Sequence, residues 1–285
     1  MPGARTAGIA RGVAACLLFL SAALLSAGPA GASTLAVACG DVLTTNTTLT
    51  ADLTCPGDAL TIGADNVDLD LNGHTITGSG TGKGLTLFSR VGATVRNGTI
   101  GGFTHSIYIS FWSGQPRTDL TATDVRLLAP IDAWPGTITL TGTRPNACLM
   151  SGLRLVDGLL TVDRCTLTGQ TVMVRSRGSA IRDSALTAGS LTVSATDQGT
   201  FTRNVFDAFP MGLSNDSRRN LVKANVFKNS VTAGIGASET FLPQDANVIE
   251  YNLFTGNDIG LYTDAMLRHL IVRRNVFNLT SAPTD

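Results

Sequence analysis

Polar and apolar positions alternate in short runs along most of this chain, punctuated by Gly, Asn, Asp and Ser. A period of two in segments rich in Val, Leu, Ile and Thr predicts β-strands, and a 3.6-residue helical period is almost absent. One pattern recurs: an aliphatic residue, two variable residues, a small or polar residue, one further residue, then an aliphatic residue or Phe. It reads LNGHTI (71–76), VRNGTI (95–100), ATDVRL (122–127), VDRCTL (162–167), IRDSAL (181–186), FTRNVF (201–206), VKANVF (222–227), IEYNLF (249–254) and VRRNVF (272–277). Its last residues run Ile76, Ile100, Leu127, Leu167, Leu186, Phe206, Phe227, Phe254 and Phe277. They are 19 to 27 residues apart, except for the 40 between Leu127 and Leu167. That longer gap is simplest as two turns of 20, and MSGLRL (150–155) is a match that lies out of register within it.

A second pattern is interleaved with the first: GLTLFS (84–89), SIYISF (106–111), TVMVRS (171–176), SLTVSA (190–195), GLSNDS (212–217), GIGASE (234–239) and GLYTDA (260–265). Each repeat thus holds at least two short strands, too small to bury an apolar side alone. Stacked on one another, such repeats bury a continuous core and pair every strand above and below. The reading is an all-β parallel β-helix. Leucine-rich repeats share the period, but their L-x-x-L-x-L-x-x-N framework and helical segment are missing. Phe206, Phe227, Phe254 and Phe277 should stack inside the core. Asn204, Asn225, Asn252 and Asn275 should form an amide ladder at a bend, a structural column despite its resemblance to a catalytic motif.

The first residues have a different composition. Arg5 and Arg11 precede an apolar run, Val13–Leu25, and Ala30-Gly31-Ala32 is a small-residue cleavage site. This predicts an export signal over residues 1–32, too short in its apolar part to span a bilayer. An N-terminal cap region over 33–58 and a β-helix over 59–285 would follow. Export permits disulfides. Cys16 would leave with the signal, and the even remainder in chain order pairs Cys39 with Cys55 and Cys148 with Cys165. The charge is balanced, with 21 basic and 21 acidic residues. That offers no basic stripe for nucleic acid. There is no H-x-H, H-E-x-x-H or C-x-x-C, so no transition-metal site is expected. Calcium stays open as a cofactor, because its oxygen ligands can come from scattered groups. GSGTGKG (78–84) lacks the ending of a phosphate-binding loop and reads as a turn.

DLDLNGHTITG (68–78), VRNGTIGGF (95–103) and the NVF/NLF turns resemble the right-handed β-helix repeat proteins of the pectin-lyase-like superfamily. The resemblance covers about residues 59–279, and the opening CGDVLTTNTTLTADLTCPGDAL resembles the start of exported members. It implies a right-handed solenoid. That superfamily holds polysaccharide lyases, hydrolases and epimerases, phage tailspikes, and a periplasmic protein tied to copper-enzyme maturation, so the fold alone ranks functions weakly. The Gly-His-Gly and paired aspartates of polygalacturonases, the Trp-Ile-Asp-His of pectate lyases and the Asp-Pro-His of alginate epimerases are all missing.

Ligands of such a solenoid should lie on one outer strand face. In the second pattern Leu85, Leu87, Ile107, Ile109, Leu191 and Val193 should point inward. Tyr108, Ser110, Arg175, Thr192, Ser194, Ser214, Asp216, Ser238, Tyr262 and Asp264 should point outward. Asp216 and Asp264, two turns apart, should lie roughly 9–10 Å from each other, near the upper spacing for an inverting acid–base pair. Arg175 would suit a uronate carboxylate. Trp112 and Phe111, Trp134, and Phe241 sit in loops that lengthen a turn, where binding residues tend to be carried. Three functions fit: foremost a secreted or cell-surface module that binds polysaccharide, then a polysaccharide lyase or hydrolase, then a structural or adhesion protein.

Overall fold

The structure, a computed structural model, describes residues 37–111, 114–238, 244–264 and 267–278. The predicted export segment, Trp112 and Phe241 lie outside the described residues. The chain divides into two units, Met1–Leu35 and Ala36–Asp285, and the second is the solenoid.

Among the described residues the regular structure is all strand, and 29 strands join one parallel system. It winds as a right-handed parallel β-helix of about ten turns. Each turn has three strands, one more than the minimum that the sequence patterns require. The first ladder rises from Val42–Leu43 through Leu60–Ile62, Lys83–Phe88, His105–Ser110, Ile131–Trp134 and Leu153–Val156. It continues through 171–174 and 191–194 to Met211–Ser214, Ala233–Ala237 and Ile259–Thr263. The second runs from Thr47–Thr48 to Ile271–Arg273, and the third from Leu53–Cys55 to Val276–Asn278. The recurring six-residue motif proves to be two strands and the corner between them. In VDRCTL, Val162 belongs to the second ladder and Leu167 to the third.

The third ladder confirms the repeat and fills its gap. Ile76, Ile100 and Leu127 pair in register. Leu127 then pairs with Met150, and Met150 with Leu167. The long interval is therefore two turns, divided unequally at Met150 rather than into two of 20. The out-of-register match MSGLRL crosses a corner, with Met150 in the third ladder and Leu153 and Leu155 in the first. Above it Phe206, Phe227, Phe254 and Phe277 stack with centroid separations of 4.4, 5.1 and 4.7 Å and near-parallel planes. The first three are buried, whereas Phe277, expected inside the core, lies on the last described strand and is 46% exposed. A fully buried Phe contributes roughly 1.5–3 kcal/mol by transfer from water.

The predicted asparagine ladder is present. The Nδ2 of Asn204 donates to Asn225 Oδ1 (3.1 Å) and to the carbonyl of Ile181 (2.8 Å). The backbone N–H of Asn204 donates to the same Asn225 oxygen (2.8 Å). Asn225 treats Asn252 and Phe201 in the same way, and Asn252 treats Asn275 and Val222 likewise. The unusual backbone angles fall one residue earlier, however: Arg203, Ala224, Tyr251 and Arg274 have φ between 55° and 57°. The left-handed residue makes the bend, and the Asn that follows it satisfies the backbone groups the bend leaves open. A second, shorter column does the same at the corner entering the second ladder, where Asn220 donates to Asn247 Oδ1 at 3.0 Å.

Both expected disulfides are present, Cys39–Cys55 and Cys148–Cys165. The second lies in the asparagine column, two residues before Met150 and Leu167, and Ser184 joins the two segments: its Oγ accepts from the N–H of Cys165, and its own N–H donates to Asn204 Oδ1. The first staples the N-terminal end, where Val42–Leu43, Thr47–Thr48 and Leu53–Cys55 already pair with the next turn.

Asn225→Ala should cost about 1–3 kcal/mol, because it leaves the buried N–H of Asn204 without a partner. Lys228→Ala, which removes only the exposed ion pair with Asp207, should cost under ~1 kcal/mol. Urea unfolding midpoints distinguish the two, and equal shifts would contradict the role given to the column.

Candidate functional site

The alternation expected on the first ladder holds. Leu85, Leu87, Ile107, Ile109, Leu191 and Val193 are all buried. Outward, the register aligns Tyr108, Asp132, Arg154, Val172, Thr192, Gly212, Gly236 and Tyr262 in one column. The neighbouring column carries Phe88, Ser110 and Trp134 at its lower end and Ser194 and Ser214 further up.

The lower part of this face is aromatic. The ring of Phe88 meets that of Tyr108 edge-on at 6.2 Å, and Lys83 Nζ lies 4.2 Å above the Tyr108 ring. Trp134 is 55% exposed. Its indole lies beside the Asp157 carboxylate and helps to lower that group's pKa. Arg175 holds that carboxylate through Nε–Oδ1 at 2.7 Å and Nη2–Oδ2 at 2.8 Å. Arg117 Nη1 donates to the Asp157 carbonyl at 2.9 Å. Trp134 and Arg175, singled out separately from the sequence, are thus joined through Asp157. Sequence reasoning missed Asp157, although Asp157-Gly158 at the end of a strand is a turn signal. With its fork filled by Asp157, Arg175 does not present an unpaired guanidinium.

The upper part is a cleft of about 610 Å³. Its floor is Thr192, Gly212 and Gly236, and Tyr262, half exposed, closes one end. Pro210, Val231 and Ile259 form an apolar wall on the side of the preceding corner. The cleft's polar lining is Ser190, Thr192, Thr232 and Asp258. A Cβ built on Gly236 meets nothing within 4 Å, and one on Gly212 meets only a carbonyl at 3.8 Å. Neither glycine has the positive φ that would demand glycine. Their effect is to keep the floor low.

The two tentative catalytic aspartates are not stacked. Leu213, Ala237 and Thr263 are in register, so Asp264 follows the column of Ser214 and Ser238. Asp216 lies two residues beyond Ser214, past a bend in which Asn215 and Asp216 both have positive φ, and it is ion-paired with Arg218. There it borders a narrow column of bridges in which Arg177, Asp197, Arg218, Asp245 and Arg268 alternate in sign. Several carboxylates are held below their ordinary range by such partners: Asp183 by Arg203, Asp197 by Arg219, and Asp245 by His269. His74 likewise contacts Asp52 at 3.1 Å, and His105 lies against Tyr108. Two smaller clefts, about 420 and 330 Å³, adjoin Arg144 away from this face. Among the described residues no group of three His, Cys, Asp or Glu is placed to hold a metal ion, and no helix is long and apolar enough to cross a membrane.

No family model and no curated protein matches this chain. Among solved structures, a double mutant of the periplasmic alginate epimerase AlgG is similar, with a TM-score of 0.37 and 9% identity over 83% of this chain and 74% of that one. A likeness of that size says nothing about what this chain binds.

The Asp157 pKa is lowered, chiefly by the hydrogen bonds from Arg175. The stability this pair contributes is therefore complete above the ordinary aspartate value near ~3.9 and is lost as pH falls through the lower folded value. The indole N–H resonance of Trp134 should move only below that ordinary range, and Arg175→Gln should shift the transition upward. A transition that Arg175→Gln leaves in place would contradict the link.

Proposed function

We propose that this chain is an exported member of the pectin-lyase-like superfamily that binds polysaccharide along the outer face of its first ladder. The observation that carries the reading is the length of that face. From Tyr108 to Tyr262 the outward column climbs seven turns, which at about 4.8 Å per turn is roughly 34 Å. Exposed aromatic rings mark its lower end, and a glycine-floored cleft lies at the upper end. An extended polymer fits such a strip better than a compact metabolite, which calls for one enclosed pocket. Aromatic rings offer large, rigid faces to the apolar side of a sugar at little entropic cost. The export segment and the two disulfides support a role outside the cytoplasm.

A catalytic reading would need an acid and a base facing one sugar. Asp216, turned onto a corner and paired with Arg218, favours the binding role over that one.

Native electrophoresis through gels that contain single polysaccharides, with calcium present and removed, tests the proposal. The protein should be retarded by at least one polymer, and Trp134→Ala and Tyr262→Ala should each weaken that retention about tenfold, the ~1.4 kcal/mol of one stacked ring. Retention unchanged by both substitutions, or none in any gel, would contradict it. Release of new reducing ends from a retained polymer would replace the binding role with the catalytic one.

A further inference from the structure

We infer that the glycan held in the upper cleft is uncharged, and that one sugar residue sits over Gly212 and Gly236 with its apolar face toward Val231 and Ile259. This rests on the polysaccharide-binding reading and narrows its ligand class. The first reason is charge. No Lys or Arg lines the cleft, while Asp258 does. A uronate or sulfated sugar would bring a second negative charge into a partly enclosed space without a counter-ion, which is repulsive and costly to desolvate. The cations of this face are committed elsewhere: Arg175 to Asp157, Arg154 to Asp132, and Lys83 to the Tyr108 ring.

The second reason is the distribution of polarity across the cleft. Pro210, Val231 and Ile259 make one wall apolar, with Val231 83% and Ile259 47% exposed. The polar lining is the hydroxyls of Ser190, Thr192 and Thr232 and the carboxylate of Asp258. A neutral pyranose combines the same two kinds of surface, with axial C–H groups on one face and equatorial hydroxyls around the rim. A wholly apolar chain would leave the hydroxyls of Ser190, Thr192 and Thr232 without partners. The third reason is the floor: two adjacent glycines that neither backbone angle nor packing requires leave room for a ring to approach the sheet. Asp258 at the mouth is an acceptor for sugar hydroxyls.

The test compares retention in gels that contain polymers of one backbone in charged and uncharged forms, polygalacturonate against its full methyl ester, together with neutral xylan, mannan and β-glucan. A neutral polymer should retard the protein, and raising salt to about 1 M should leave that retention in place, because screening has no charge pair to weaken. Gly236→Val, whose Cβ meets nothing within 4 Å, should abolish it with an unchanged melting temperature. The smaller Gly236→Ala should reduce it if the valine variant is unstable. Asp258→Lys should let polygalacturonate bind. Stronger retention by the charged form would overturn the inference and leave polysaccharide binding standing, as would retention that survives Gly236→Val. No retention by any polymer would overturn both.

Discussion

Every residue in a parallel solenoid must tolerate its own counterpart about 4.8 Å above and below. Strand pairing fixes that spacing, so side chains are selected by column rather than singly. Phenylalanine meets the condition by stacking ring on ring, as from Phe206 to Phe277. Asparagine meets it because one amide is both donor and acceptor, so that Asn204, Asn225, Asn252 and Asn275 link turn to turn while capping the bend beside them. Like charges cannot meet it, and where ionic residues stack, they alternate, as in Arg177, Asp197, Arg218, Asp245 and Arg268. The Cys148–Cys165 disulfide is the covalent form of the same contact, in the same column.

The candidate site is where the outward columns of the first ladder stop obeying that rule. Elsewhere, stacked side chains fill the surface or pair across turns. Over Gly212 and Gly236 nothing fills it, and the flanking residues are exposed apolar side chains and serines rather than ion pairs. At the lower end Trp134 stands out from the sheet beside Asp157, which Arg175 grips. A scaffold this repetitive is rigid, and the binding strip is a set of exceptions along one of its edges.

The sequence disclosed what recurs. The third-ladder core column, the asparagine ladder, the disulfide pairs and the inward residues of the first ladder were all readable, because each repeats at the period of a turn. What failed to repeat was hidden. The second ladder merged with the third, since the two meet at a corner and read as one motif. Met150 escaped because its turn, cut short near Cys148, broke the spacing. The Asn220–Asn247 column is only two residues deep and gave no pattern. The site suffered most. Alternation placed Tyr108 and Tyr262 on the outer face, but it could not foresee that two left-handed residues would carry Asp216 off the face, or that Arg175 already had a partner. The cleft is defined by glycines, and an absent side chain leaves little trace in a sequence.

The most direct test of this account is amide hydrogen exchange on the protein with and without an oligosaccharide of whichever polymer retains it. Added protection confined to first-ladder segments, above all 190–194, 210–214, 233–237 and 259–263, is the predicted result. Protection on the second or third ladder, or around Arg144, would contradict the claim that the first-ladder face is the binding surface.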